Sequence, residues 1–338
     1  MGVERALALK TDEALDWIPE ANEFAEAVVE GLSSSPKTLP CRYFYDARGS
    51  ELFEAITDLP EYYPTRTETA ILAAHASHIA DRVPDGAILI EFGSGSSRKT
   101  ELLLAEMFDL AAYVPIDVSD AALAGAKQRL ERRFPALRVH PILGNFNDEV
   151  VYPFDLRARP KVGFFPGSTI GNLTRAEAAE LLAGMARTLG PDGRLIIGVD
   201  LKKDPHTLVA AYNDAAGVTA AFNLNLLTRI NRELRATFDV TQFRHEAVYN
   251  PRQGRIEMYL VGERAQQVGL IGHTFSFAKG ERIHTENSHK YTVDEFQALA
   301  REAGWQPEAV WSDEQSLFSV HELVVSEADL RFRSSPSY

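Results

Sequence analysis

Cysteine is nearly missing from this chain: Cys41 is the single one in 338 residues. An intramolecular disulfide and a thiolate zinc cluster are therefore excluded, and a reducing compartment is the simplest expectation. Positive charge is also short. Thirty-five Lys and Arg stand against 48 Asp and Glu, a formal net charge of −13, so the basic stripe that phosphate recognition needs is lacking and nucleic acid is not an expected partner. Long apolar runs are absent too: residues 87–90 and 195–199 fall far below the roughly 20 residues of a membrane helix. Glu4, Lys10, Asp12, Glu13, Asp16 and Glu20 interrupt any signal-peptide core near the start. A soluble, cytoplasmic protein with no membrane partner is expected. No G-x-S-x-G elbow occurs, and Cys41 has no helix-terminus or histidine context that would mark a nucleophile. Histidine offers no metal set. His75 and His78 lack a third ligand, and His284 and His289 flank Glu286 without zincin spacing, so no metal is expected.

What is present is an ordinary globular composition, 45% apolar and 25% charged, long enough for two domains or one α/β unit with an insertion. Short apolar runs followed by turn signals alternate with helical patterns, as in a parallel sheet. Strands are predicted at 87–92, 112–117, 138–143, 161–166 and 194–199, with helices at 100–108, 121–134 and 175–189. The last of these helices follows Thr174, a good N-cap, and stops before Gly190-Pro191-Asp192-Gly193. After Asp200 a long polar and amphipathic stretch, and then alternating segments, read as an α+β insertion. The sheet pattern resumes with a helix at 293–303 capped by Thr292 and strands near 309–311 and 318–325, giving seven strands. Residues 15–65, dense in Tyr, Phe, Gly and Pro, read as a folded lid.

The first strand ends in Glu91-Phe92-Gly93-Ser94-Gly95, so two glycines sit where the chain turns and a ligand can approach the backbone. A dinucleotide fingerprint needs a third glycine where this chain has Arg98, which disfavours a dehydrogenase. Two glycines alone also describe an ordinary βα turn. Asp117, at the end of the second strand and 24 residues past Gly93, matches the offset of an acid that holds ribose hydroxyls, about 20 residues. Asn145 and Phe146 follow the third strand, where an amide beside an aromatic suits an adenine, although an Asn there is also a common turn residue. The fourth strand runs into Pro166-Gly167-Ser168-Thr169-Ile170-Gly171-Asn172, outside the carboxyl end of the sheet where open α/β sheets place their sites.

With these motifs the chain resembles the S-adenosylmethionine-dependent histidine Nα-methyltransferases of ergothioneine biosynthesis. The similarity runs from about residue 36 to residue 325, through 'FYDARGSELFEAITDLPEYYPTR', 'EFGSGSSRKT', 'FFPGSTIGNLT', 'AYNDAAGVTAAFN', 'INREL', 'RIEMYL' and 'TENSHKY'. The resemblance implies a seven-stranded Rossmann-like class I methyltransferase sheet, residues 66–202 and 291–327, with a discontinuous α+β substrate domain, residues 15–65 and 203–290. It implies S-adenosylmethionine contacts from Phe53, Gly93, Lys99, Asp117, Asn145 and Phe146, with Asn145 standing where family members carry Asp. Asn172 and Tyr212 would meet the substrate carboxylate; Tyr45, Gly167 and Asn172 the α-amine; Tyr62, Glu286 and Ser288 the imidazole, beside Met258.

Outside the resemblance, Glu286 and Ser288 would read as a solvated turn. Inside it, an acceptor and a hydroxyl at ring spacing select for two ring nitrogens, because a ring lacking one leaves a buried group unpaired. No histidine base is evident at the site, so Tyr45 and Asn172 are expected to orient the amine rather than abstract its proton. A small-molecule amino-acid substrate and a monomer are expected. Two rivals remain: the same machinery acting on another amino acid or amine, and a non-catalytic cofactor-binding partner subunit.

Overall fold

The computed structural model describes residues 19–95, 97–144 and 152–326. Strands such as Ile88–Phe92 are buried along their whole length, as befits continuous apolar runs covered on both faces. They form a seven-stranded sheet in the order Trp305–Ser312, Phe318–Val325, Arg194–Asp200, Lys161–Phe165, Ile88–Phe92, Ala112–Asp117, Ile142–Leu143. Phe318–Val325 alone runs opposite to the other six strands. Alternate side chains fill opposite faces. Ile88, Ile90 and Phe92 pack with Leu182 and Met185 of helix Arg175–Leu189 and with Phe296 of helix Val293–Glu302. Leu89, Tyr113 and Phe164 pack with Ile71 and Leu72 of helix Tyr63–Ala80.

Both threonine caps form complete capping boxes, Thr174 with Glu177 and Thr292 with Glu295. The third strand is shorter than expected. Only Ile142–Leu143 forms a regular ladder, preceded by one isolated bridge at Val139, because Pro141 interrupts the run and has no N–H to donate. The helix expected at 100–108 closes at Thr100–Leu104, and the strand near 309–311 extends to Trp305–Ser312. No helix among the described residues is long and apolar enough to cross a membrane.

The stretch after Asp200 becomes helices Pro205–Tyr212 and Val218–Leu234, followed by antiparallel strands. A second sheet has the order Lys37–Thr38, Arg282–His289, Arg255–Gly262, Phe243–Asn250. Its apolar cluster draws on two distant parts of the chain: Phe24, Val28 and Phe44 from one, Phe222, Leu260 and Ile283 from the other. Helix Tyr63–Ala80 spans the two layers, with Tyr63 in this cluster and Leu72 against the large sheet. Within the large sheet, Ile88–Phe92 lies between Ala112–Asp117 and Lys161–Phe165. The strand order reverses there, which opens a crevice at the carboxyl ends.

Gly163 sets how closely helix and sheet approach: a Cβ there would lie 2.9 Å from side-chain carbons of Leu189 and Phe92. Gly163→Ala is therefore expected to destabilise the protein by about 1 to 3 kcal/mol through overpacking. Denaturant unfolding of the two proteins checks this, and equal midpoints would show that the contact gives way freely.

Candidate functional site

Two loops leave the crevice side by side. In the first, the amides of Gly93 and Ser94 both donate to the Ile116 carbonyl, at 2.9 and 3.1 Å. Gly93 and Gly95 take φ of +74° and +47°, and a Cβ at Gly95 would meet nothing within 4 Å. The loop therefore presents open backbone. Asp117 holds it in place: one carboxylate oxygen accepts from Gly95 N at 2.8 Å and the other from Ser119 N at 2.9 Å. Beneath the loop, burial pushes the Glu91 carboxyl up to about 7, against hydrogen bonds from Tyr113 and Ser97. Asn145 and Phe146 lie outside the described residues.

The second loop is strained. Gly167 and Ser168 are consecutive left-handed residues, with φ of +84° and +58°. Gly167 N donates to both oxygens of Glu68 at 2.9 Å, and Ser168 Oγ accepts from Asp200 N at 2.9 Å. Glu68 also takes the ammonium of Lys99, from the end of the first loop. The loop closes in a 3-10 turn, Thr169–Asn172. There Gly171 packs so tightly on strand Arg282–His289 that a Cβ would lie 2.7 Å from the His289 carbonyl oxygen. Asn172 is thus carried up to the strand that bears Glu286 and Ser288.

On that strand Glu286 and Ser288 are two residues apart and share a face. Met258 is the direct cross-strand partner of Glu286, next to a register shift between His284 and Glu286, so their side chains stand together. Ser288 Oγ and the Tyr212 hydroxyl are 2.7 Å apart. The Lys290 ammonium donates to Ser288 at 2.7 Å, to Tyr212 at 2.9 Å and to Asp200 at 2.7 Å. Asp200 further accepts from Tyr63 and from Lys203, the latter at 2.6 Å. Burial pushes the Asp200 carboxyl up, and the two ammoniums more than reverse this. Glu286 has weaker compensation: burial pushes it up to about 7, with Lys290 pulling the other way.

Aromatic rings wall the space in front of these groups. Tyr45 meets Phe53 at 5.5 Å and Phe222 at 5.8 Å, Phe53 meets Tyr62 at 6.3 Å, and Tyr62 meets Tyr212 at 6.3 Å. Glu286 lies within electrostatic reach of Tyr45, Tyr62, Tyr212 and Cys41. Tyr45 is nevertheless 45% exposed, so part of its ring is open to solvent rather than packed in the core. Burial holds the hydroxyls of Tyr62 and Tyr212 well above their ordinary range, which keeps them protonated donors at neutral pH. The ring contacts of Phe53 are all with this aromatic group. Burial likewise pushes the Cys41 thiol up to about 12, far from a reactive thiolate.

Three charged residues escaped the sequence reading: Glu68, Asp200 and Lys290, all buried. The available signals were slight. Glu68 is an acid among the apolar positions of a helix, Asp200 ends an apolar strand, and Lys290 follows 'TENSH'.

A family model described as histidine-specific methyltransferase, SAM-dependent, matches residues 24–325. The histidine N-alpha-methyltransferase of Mycolicibacterium smegmatis is 43% identical over 306 residues, covering 87% of this chain and 93% of that protein. The Mycobacterium tuberculosis histidine N-alpha-methyltransferase is 40% identical, covering 87% and 92%. More distant is the 4-dimethylallyltryptophan N-methyltransferase easF of Aspergillus fumigatus, 31% identical and covering 85% and 89%.

The raised Glu286 carboxyl makes a stability prediction. Its pKa moves from 4.5 to about 7 on folding, so the fold favours the protonated form. That stabilisation is complete below pH 4.5 and is lost as pH rises to about 7. Glu286→Gln removes the ionisation, and at pH 8 the variant is expected to be more stable than wild type by up to about 3 kcal/mol. The difference should shrink toward acid pH in unfolding titrations, and a pH-independent difference would contradict the assignment.

Proposed function

The chain belongs to the histidine-specific, S-adenosylmethionine-dependent methyltransferases, and on that footing we propose that it methylates the α-amine of L-histidine. Methylation continues to the trimethyl betaine, as the first step of ergothioneine biosynthesis. The observation that carries this choice of substrate is Glu286, a buried carboxyl next to Ser288 behind a wall of tyrosines. An acceptor and a hydroxyl on one strand face suit a five-membered ring with two nitrogens. A substrate offering only one would leave a buried polar group without a partner.

The residues present fit the cofactor. The glycine loop leaves open backbone at Gly95, and Asp117, which accepts from that residue's amide, is the acid assigned to the two ribose hydroxyls. The resemblance assigns Lys99 to the amino-acid tail, Phe53 to the cofactor from the aromatic wall, and Asn145 with Phe146, outside the described residues, to the adenine. S-adenosylmethionine supplies the electrophilic methyl carbon. The chain's own residues bring a neutral amine into line with it, and positioning of this kind is worth a large part of the rate. Asn172 and Tyr212 hold the α-carboxylate, while Tyr45, Asn172 and Gly167 surround the amine. Phenols held above their ordinary range do not serve as bases at neutral pH, so the ammonium proton leaves to water on or before binding. No metal, nucleic acid or membrane enters this function, and the chain acts as a cytoplasmic monomer.

Mass analysis of the products from histidine and S-adenosylmethionine tests the proposal directly, and a preference for another amino acid would overturn it. The easF relative, named for a tryptophan derivative, makes the ring the point to probe. Glu286→Ala removes the acceptor and enlarges the pocket. It is expected to lower kcat/KM for histidine by about tenfold to a hundredfold and to favour tryptophan in relative terms. Competition between the two substrates reads this, and unchanged preference would mean that Glu286 does not face the ring. Asp117→Ala is expected to weaken S-adenosylhomocysteine binding by about 1.5 to 3 kcal/mol, and calorimetry showing undiminished affinity would remove Asp117 from the site.

A further inference from the structure

Glu68 is 0% exposed. Its carboxylate pairs with the Lys99 ammonium, and both of its oxygens accept from Gly167 N at 2.9 Å. Lys99 stands at the end of the loop assigned to the cofactor, and Gly167 opens the loop assigned to the substrate amine. The same carboxylate therefore holds one residue from each. It has no room to slide: Gly198 lies behind it, and a Cβ there would be 2.1 Å from Glu68 Oε1.

We propose that Glu68 is a positioning residue that couples the cofactor and substrate sites, through the Lys99 ammonium on one side and the Gly167 amide on the other. This rests on the function proposed above, because it takes Lys99 to face the cofactor's amino-acid tail. An anionic tail arriving at Lys99 competes with Glu68 for the ammonium. The carboxylate then has more acceptor strength for Gly167 N–H, which firms the left-handed pair Gly167–Ser168. The second anchor of that pair, Ser168 Oγ with Asp200 N, does not touch Glu68, so the effect reaches the substrate loop through the Gly167 peptide. The coupling must be reciprocal: the substrate strengthens cofactor binding by the same factor as the cofactor strengthens substrate binding.

Calorimetry of the full chain with S-adenosylhomocysteine and histidine, each alone and with the other saturating, tests this. Wild type is expected to bind either ligand about 5- to 150-fold more tightly when the other is present. Glu68→Gln, which weakens the hold on both partners, is expected to bring that factor close to 1. Gly198→Ala displaces the carboxylate while keeping its charge, and should lower the factor as well. A merely structural role would weaken each ligand alone and leave their ratio unchanged. Independent binding in wild type overturns the proposal whatever the variants do, and so does a wild-type factor in either variant that remains folded. Mass analysis of the same wild-type preparation separates the two levels. Failure to methylate histidine refutes the substrate, whereas methylation with uncoupled binding refutes the role of Glu68.

Discussion

Asp200 is the point on which the two layers depend. The chain passes between them near Tyr63, again just after Asp200, and a third time near Lys290, and the Asp200 carboxylate bonds at all three crossings. It accepts from the Tyr63 hydroxyl, the Lys203 ammonium and the Lys290 ammonium. The backbone repeats the link, with Lys202 N donating to the Tyr291 carbonyl at 2.9 Å. A carboxylate with so little access to water stays ionised only because two cations face it, and removing one partner of such a pair costs about 3 to 5 kcal/mol. Lys203 shows the other side of the arrangement, since burial lowers its ammonium to about 8 despite Asp200. Through Lys290 the same carboxylate reaches Ser288 and Tyr212, so the joint between layers is also the floor of the site.

The large sheet was legible because parallel strands buried on both faces need unbroken apolar runs, and runs such as 'ILIEF' have few other readings. Helix ends were legible where a cap has a chemical signature, as at Thr174 and Thr292. Pro141 was equally visible, and in the fold its missing N–H outweighs the apolar residues around it. The second layer was legible only in outline. Val218–Leu234 buries Asn223 and Asn225 along with its leucines, and buried amides mask the periodicity that marks a helix. The Asn223 amide donates to the Tyr259 carbonyl, and that of Asn225 to Asp46, partners that no local pattern reveals.

The site was read unevenly for a similar reason. Glycines before a helix and an acid at a strand end carry their chemistry in local spacing, so Gly93 and Asp117 could be argued from the residues themselves. Glu286 and Ser288 could not, because alternation on a strand resembles a polar turn, and only the family resemblance raised them. Glu68 and Lys290 were missed because a charged side chain in a sequence is by default a solvated one. Their importance comes from burial, and burial is decided by segments far away in the chain.

The second apolar cluster has a further consequence, in time rather than in space. Phe44 packs on Phe222 at 4.6 Å, and Phe24 belongs with Ile283 in one cluster. During synthesis the first of these side chains emerge long before their partners. At about 5 to 20 residues per second, the 178 positions from Phe44 to Phe222 take roughly 9 to 36 seconds to appear. Over that interval the aromatic segment around Tyr45 lacks the partners of its core, and five of the seven strands of the large sheet are made. The loop-closure entropy of joining the two segments must be met before their contacts repay it. The two halves of the substrate pocket therefore meet only after five of the seven strands of the large sheet have been made, with Trp305–Ser312 and Phe318–Val325 still to follow.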